Sequence, residues 1–264
     1  MPWGPKILLI GAIGTGKTHS IRTFLDAGME VFCVLTEQSA QQVLADTDPQ
    51  RLHWHYIPQA TTGWDALRKM AHQVNTLSHA MLCKLPDIGK EKFPQFIHVI
   101  ETLANFRDDR TGKDFGPVDS LDPERSVLVI DSLSGLSSMV INLAIGLRPT
   151  MDKPDYGTAQ RNLMALLKQL TGGVPCTVLV TAHPEKEVNE LTSTMEIFAS
   201  SVGKAIAAQI PKDFSDVIMA TRVGAKWQWS TIFPNADLVA RHLPWSNELP
   251  PSFAPLLKTW RERG

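Results

Sequence analysis

Near the start of the chain, GAIGTGKT places Gly11 and Gly16 around four residues and sets Lys17 and Thr18 directly after the second glycine. These residue types at this spacing match G-x-x-x-x-G-K-[ST], the pattern of a loop that holds phosphate groups. Glycine reaches backbone angles closed to other residues. The stretch Gly11, Ala12, Ile13, Gly14, Thr15, Gly16 can therefore turn main-chain N–H groups inward around an anion. Lys17 brings a positive charge to the β- and γ-phosphates, Thr18 offers a hydroxyl to Mg2+, and His19 borders the same segment. A helix starting near Gly16 points the positive end of its dipole at the same place. The plain alternative is an ordinary glycine turn between a strand and a helix.

Carboxylates narrow the chemistry. RSVLVIDSLSGL is an apolar, β-branched run that ends in Asp131, where an acid can hold Mg2+ through water. It could instead cap the helix that follows. The next residue is Ser132 rather than a glutamate, so a catalytic base must come from elsewhere. EVFCVLTEQ ends in Glu37, a candidate to orient or deprotonate an attacking water, or else a solvated residue at the next helix start. PCTVLVTAHPEKE ends in Thr181 and His183, and His183 is placed to touch the γ-phosphate or its water, or merely to finish a strand.

These groups meet only if particular elements carry them. KILLI reads as a central parallel strand, and KTHSIRTFLDAG as a helix with a glycine stop. Parallel strands bring their carboxyl ends to one edge of a sheet, and ligands bind there. The expected fold is α/β, a mostly parallel sheet flanked by helices. DVIMATRVGAKWQWSTIF adds a C-terminal antiparallel hairpin, with Trp227 and Trp229 on one face, where they pack over the sheet or else stack on bases. GWDALRKMAHQVNTL and FPQFIHVIETLANF read as amphipathic helices, RDDRTGKDFGPVDSLDPERS as a surface loop, and LRPTMDKPDYGT as a breaker-rich segment before a helix. The reading is one domain over residues 1–264, with an insertion at about 64–125 and C-terminal strands and a tail at about 214–264.

The 264 residues are 43% hydrophobic, enough for a substantial core, and the net charge of -1 excludes a generally basic surface. Cys33, Cys83 and Cys176 lack paired spacing and read as buried thiols in a reducing compartment. No apolar run approaches a membrane span, and the first residues lack the flanks of a signal peptide. A soluble, cytoplasmic protein without membrane contact is expected.

Taken in order, GAIGTGKT, the strand ending VLTEQ, VLVIDSLSGLS, VLVTAHPE and GKAIAAQIPKDFSDVIMATRVGAKWQWST resemble the RecA-type ATPase fold. They are similar in particular to phage-encoded, short RecA-like nucleotide-binding proteins linked to single-strand annealing and recombination. The resemblance covers most of the chain. It implies ATP hydrolysis with Mg2+, single-stranded DNA as partner, and a homo-oligomer whose ATP sites are shared between subunits. It places the catalytic glutamate after the second strand, at Glu37, and the polar coupling residue at His183, where the family commonly has glutamine. A basic finger reaching a neighbour's ATP corresponds to Arg241, although Leu243 stands where a second basic residue is usual. Lys204 is a further candidate for a phosphate or DNA contact. The DNA-facing loops would be roughly Arg148 to Arg161 and Pro184 to Lys204, yet the second carries Glu185, Glu187, Glu190 and Glu196, a poor composition for neutralising phosphates. Two rival readings are a P-loop kinase of a small molecule, with Arg107 and Arg110 as its lid arginines, and a non-catalytic nucleotide-dependent module.

Overall fold

The computed structural model describes residues 3–86, 89–188 and 193–263, without the side chains of residues 204 and 205. The strands, in chain order, begin with Lys6–Gly11 (β1), Glu30–Leu35 (β2) and Leu52–Tyr56 (β3). A small hairpin of Phe106–Arg107 (β4) and Asp114–Gly116 (β5) precedes Ser126–Asp131 (β6) and Thr177–Ala182 (β7). A second hairpin, Pro184–Val188 (β8) and Met195–Ala199 (β9), leads to Asp216–Val223 (β10), Lys226–Ser230 (β11) and Val239–Ala240 (β12). The helices are Lys17–Ser20 (α1), Arg22–Asp26 (α2), Gln38–Leu44 (α3), Gly63–Thr76 (α4), His79–Leu82 (α5), Gln95–Ala104 (α6), Leu133–Ile145 (α7), Lys153–Gly172 (α8), Lys204–Ala207 (α9) and Ala254–Arg263 (α10).

The central sheet runs β11-β10-β1-β7-β6-β2-β3, with β12 also paired to β10. All its pairs are parallel except those that β11 and β12 make with β10. A parallel sheet covered on both faces needs strands that are apolar throughout, and β1, β6 and β7 are buried at every position. Alternate residues serve opposite faces. Leu8, Ile10, Phe32, Val34, Leu128 and Ile130 pack under α6, α7 and α8. Ile7, Leu9, Val31, Cys33, Val127 and Val129 pack under the segment after β1, α3 and α10. From α10, Leu256, Leu257 and Trp260 are buried on that second face, each contributing roughly 1.5–3 kcal/mol by leaving water. The expected α/β class with a mostly parallel, helix-flanked sheet is the one observed, and β10–β11 is the antiparallel C-terminal hairpin.

Local differences from the sequence reading have physical causes. The helix after β1 breaks at Ile21 into α1 and α2. Residues 147–158 were expected to be breaker-rich loop, but α8 already begins at Lys153. Asp152 and Asp155 form a reciprocal capping box, and proline is tolerated in the first turn. Most of the loop placed at Arg148 to Arg161 is thus helix. Pro184 to Lys204 contains the β8–β9 hairpin rather than an open loop. Within it Glu190 lies outside the described residues, as does the Lys204 side chain at the head of α9. The polar stretch after Asn105 forms β4–β5 and is not merely surface. Asp108 is fully buried, accepting from the amide of Trp54 at 3.0 Å, the amide of Arg110 at 3.2 Å and the hydroxyl of Thr111 at 2.6 Å. Cys33 and Cys176 are buried, whereas Cys83 is only half-buried. Among the described residues no helix is long and apolar enough to cross a membrane.

Candidate functional site

The carboxyl ends of β1, β2, β6 and β7 adjoin in the sheet, and the groups that follow them line one cleft of about 290 Å3. The loop after β1 turns through Gly14 and Gly16, whose φ angles of 77° and 81° are in the left-handed region. Thr15 fastens the turn by donating its hydroxyl to the Ala12 carbonyl at 2.8 Å. Lys17 is 8% exposed and folds back along the loop, donating to the carbonyls of Gly11 at 2.6 Å and Ala12 at 3.1 Å. Burial lowers its pKa, against the opposing pull of Asp131 and Glu37.

Asp131 ends β6 and is 2% exposed. One carboxylate oxygen accepts from the Thr18 hydroxyl at 2.7 Å, and the other from the Thr181 hydroxyl at the end of β7. Burial pushes its pKa up; the two hydroxyls and Lys17 pull the other way, while Glu37 adds to the rise. The helix that follows is capped by Ser132, whose Oγ accepts from the Gly135 amide at 3.3 Å, so the capping role weighed for Asp131 falls to its neighbour. The Asp131–Ser132 peptide is cis.

Glu37 stands between β2 and α3. Its Oε1 accepts from the Ser132 hydroxyl at 2.6 Å and lies 3.4 Å from Nε2 of His183. The tip of β2 is tied to β6 beneath it: the Thr36 amide donates to the Asp131 carbonyl at 2.8 Å, and the Ser132 amide donates to the Thr36 hydroxyl at 2.9 Å. Gly135 makes this seat possible, because a Cβ there would meet the Thr36 hydroxyl at 1.9 Å. Glu37 is thus a held carboxylate with an open side, not a freely solvated one. Its side chain keeps 38% exposure, room for a water to approach.

Lys17, Thr18, Glu37, Asp131 and His183 therefore meet in one cleft, together with the loop Ile13 to His19. Arg241 does not join them. Its amide and that of His242 donate to Asp216 at 3.0 and 2.8 Å, and Asp216 opens β10 beside Ile7, at the opposite end of the sheet from Gly11. Arg110, one of the two arginines a kinase lid would need, is engaged elsewhere. Its guanidinium donates to the carbonyls of Ala45, Thr47 and Leu52 and lies 4.4 Å over the Trp54 ring.

Sequence reasoning missed two contacts of the site. Ser132 holds Glu37 across 95 positions of chain, a pairing that no local pattern announces. Trp227 was paired with Trp229 by period-two spacing, but their environments differ. Trp229 is fully buried against Phe253, whereas Trp227 reaches the phosphate loop and donates from Nε1 to the Gly14 carbonyl at 3.0 Å.

The residues present fit a magnesium-bound triphosphate. Left-handed glycines shape the loop, a lysine stands at its end, and a threonine hydroxyl and a carboxylate provide the oxygen donors a hard cation takes. Among the described residues no group of three or more His, Cys, Asp or Glu side chains could hold a metal by itself.

Residues 4–236 match the family model described as an AAA domain. None of the curated proteins compared with the sequence matches it. Among solved structures, the chain is similar to one described as a prototypical ATPase from the type III secretion system of pathogenic bacteria. Identity is 12% and the TM-score 0.38, over 83% of this chain and 53% of that one, so this chain spans about half of that protein's length.

Proposed function

Because the chain belongs to the AAA domain family, we propose that it binds ATP with Mg2+ in this cleft, hydrolyses it, and uses the cycle on single-stranded DNA in phage recombination or replication. The observation that carries hydrolysis is the placement of Glu37, held by Ser132 and facing His183, in the same cleft as Lys17 and Asp131. Lys17 exchanges the Gly11 and Ala12 carbonyls for phosphate oxygens and offsets their charge. Thr18 and Asp131 would hold the metal, which when bound would supply positive charge against that developing on the phosphates. Glu37 accepts a proton from the attacking water, and its hydrogen bond from Ser132 keeps the carboxylate oriented toward the cleft. His183, facing the same Glu37 oxygen that Ser132 serves, couples its state to the β8–β9 hairpin, just after which the Ser200 amide donates to the His183 carbonyl at 2.7 Å.

Arg241 enters this scheme as a residue acting on a neighbour's site. From the amino end of the sheet it would reach a triphosphate only if subunits stack head to tail, amino end against carboxyl end. Such heterologous contacts generate rings or filaments. Single-stranded DNA as the partner is supported by the family resemblance of the motifs, not by a basic surface.

ATP turnover per protomer, measured against protein concentration with and without single-stranded DNA, tests the proposal. Turnover that climbs steeply with concentration and rises with DNA is expected. Strict proportionality would remove the shared site, indifference to DNA would remove the DNA assignment, and phosphate transfer to a small acceptor instead of water would remove hydrolysis.

A further inference from the structure

We propose that the indole of Trp227, flanked by the imidazole of His19, is the platform on which the base of the bound nucleoside triphosphate stacks. The inference rests on the nucleotide reading of the cleft and adds to it the side chain that recognises the base.

The lining of the cleft divides into two chemistries. Lys17, Thr18, Glu37, Asp131 and His183 suit phosphates, a metal and water. Ile13, Val43, His19 and Trp227 offer apolar or aromatic surface that a triphosphate tail cannot use. Ile13 is 89% and Trp227 38% exposed, so aromatic and aliphatic surface faces solvent beside a strongly polar site. A flat heteroaromatic base covers such surface and places its own π-face on the ring.

Trp227 is also fixed in advance. It sits on β11 opposite Arg222 of β10, and two residues further on Trp229 is locked in the core. Its Nε1–H donates to the Gly14 carbonyl, and its ring rests on Gly16 so closely that a Cβ there would lie 2.6 Å from Cδ2. The His19 ring stands 4.8 Å from it, tilted by 50°. An indole held by strand register, a hydrogen bond and a glycine floor loses little freedom on stacking, so more of the contact appears as affinity. The same contacts tie it to the phosphate loop, setting the base platform at a fixed offset from the triphosphate cradle.

Two probes separate stacking from simple bracing of the loop: ATP, and inorganic tripolyphosphate, which carries the charge and no base. Calorimetry in excess Mg2+ compares the full-length wild type with Trp227→Leu and Trp227→Phe. Stacking predicts that the leucine protein loses roughly tenfold or more in ATP affinity, within the range of about five- to hundredfold for one base on one ring. Phenylalanine keeps a π-face but not the N–H, and its ATP affinity is expected within about threefold of wild type. Tripolyphosphate is expected to bind all three proteins alike. If the phenylalanine protein falls with the leucine protein, and tripolyphosphate with ATP, the indole only braces Gly14 and the proposal is overturned. Equal ATP affinity in all three overturns it as well.

Should the leucine protein fail to fold, tryptophan emission of the wild type decides. ATP is expected to quench a component that is absent from Trp227→Phe, while tripolyphosphate leaves it unchanged; equal quenching by both probes overturns the proposal. A wild type that binds neither probe would remove the nucleotide reading together with the platform. Binding of both, with unaltered variants, would remove the platform alone.

Discussion

Replacing Thr181 by valine isolates one hydrogen bond in the middle of the site. The Thr181 hydroxyl is fully buried and donates to one oxygen of Asp131, whose other oxygen is served by Thr18. Valine keeps the branched shape and removes the donor, leaving a buried carboxylate oxygen unpaired. A bond to a charged, buried acceptor is worth about 1.5–3 kcal/mol. For a chain of this size each kcal/mol moves the thermal midpoint by roughly 2–4 °C, so a fall of about 3–12 °C is expected at pH 7. The pH dependence gives a second handle. Burial raises the Asp131 pKa, and the Thr181 bond opposes that rise. A carboxyl whose folded value exceeds its unfolded value, about 3.9, holds its proton more tightly when folded. Its charging cost is absent well below that value and fully present above the folded one. Removing Thr181 raises the folded value further, so the stability gap between wild type and Thr181→Val is widest at neutral pH and narrows toward pH 4. Denaturant titrations at both pH values measure it. Equal midpoints at pH 7, or a gap that widens on acidification, would refute the reasoning.

Three further outcomes follow from the same geometry. Lys17→Ala removes the cation that turns from loop carbonyls to phosphate, and calorimetry is expected to show ATP affinity down by more than about tenfold. His183→Ala removes the group facing Glu37 without touching the lysine or the metal donors, so turnover should fall by about tenfold while the Kd for ATP stays within about threefold. Asp108→Ala leaves the buried Trp54 amide, and the partly buried Arg110 amide and Thr111 hydroxyl, without their acceptor and should cost about 1–3 kcal/mol in urea denaturation at pH 7. Burial pushes the Asp108 carboxyl up, but the bonds it accepts outweigh this and hold it below the ordinary range. Its contribution is therefore present above about pH 3.9 and disappears as pH falls through the lower folded value, where wild type and variant should converge.

The phosphate loop and the strands ending in Glu37, Asp131 and His183 were legible because each signal is local. Glycines at fixed offsets and unbroken apolar runs report buried parallel strands directly. RLHWHYI carries no clear strand signal, since β3 is an edge strand with polar residues at alternate positions, paired with β2. The β4–β5 and β8–β9 hairpins were hidden by charge, because the few apolar residues they lay on the core, Phe106, Phe115, Ile197 and Ala199, are scattered among acidic and basic ones and make no clean alternation. At the site, the contacts that escaped were those between distant positions: Ser132 with Glu37, and Trp227 with Gly14 and Gly16. Arg241 shows the converse. Its sequence neighbourhood resembles the expected basic finger only in part, with Leu243 in place of a second basic residue, and the fold sets it at the other end of the sheet, so a role at a triphosphate depends on a second copy of the chain.

The proposed activity needs a cleft that binds ATP and a carboxylate in it that activates water. Glu37→Gln keeps the side chain's shape and removes its basicity. The substituted protein is expected to bind ATP with a Kd within about threefold of wild type and to lose turnover by about 10²–10⁴-fold. Tight binding with turnover at the wild-type rate would contradict it.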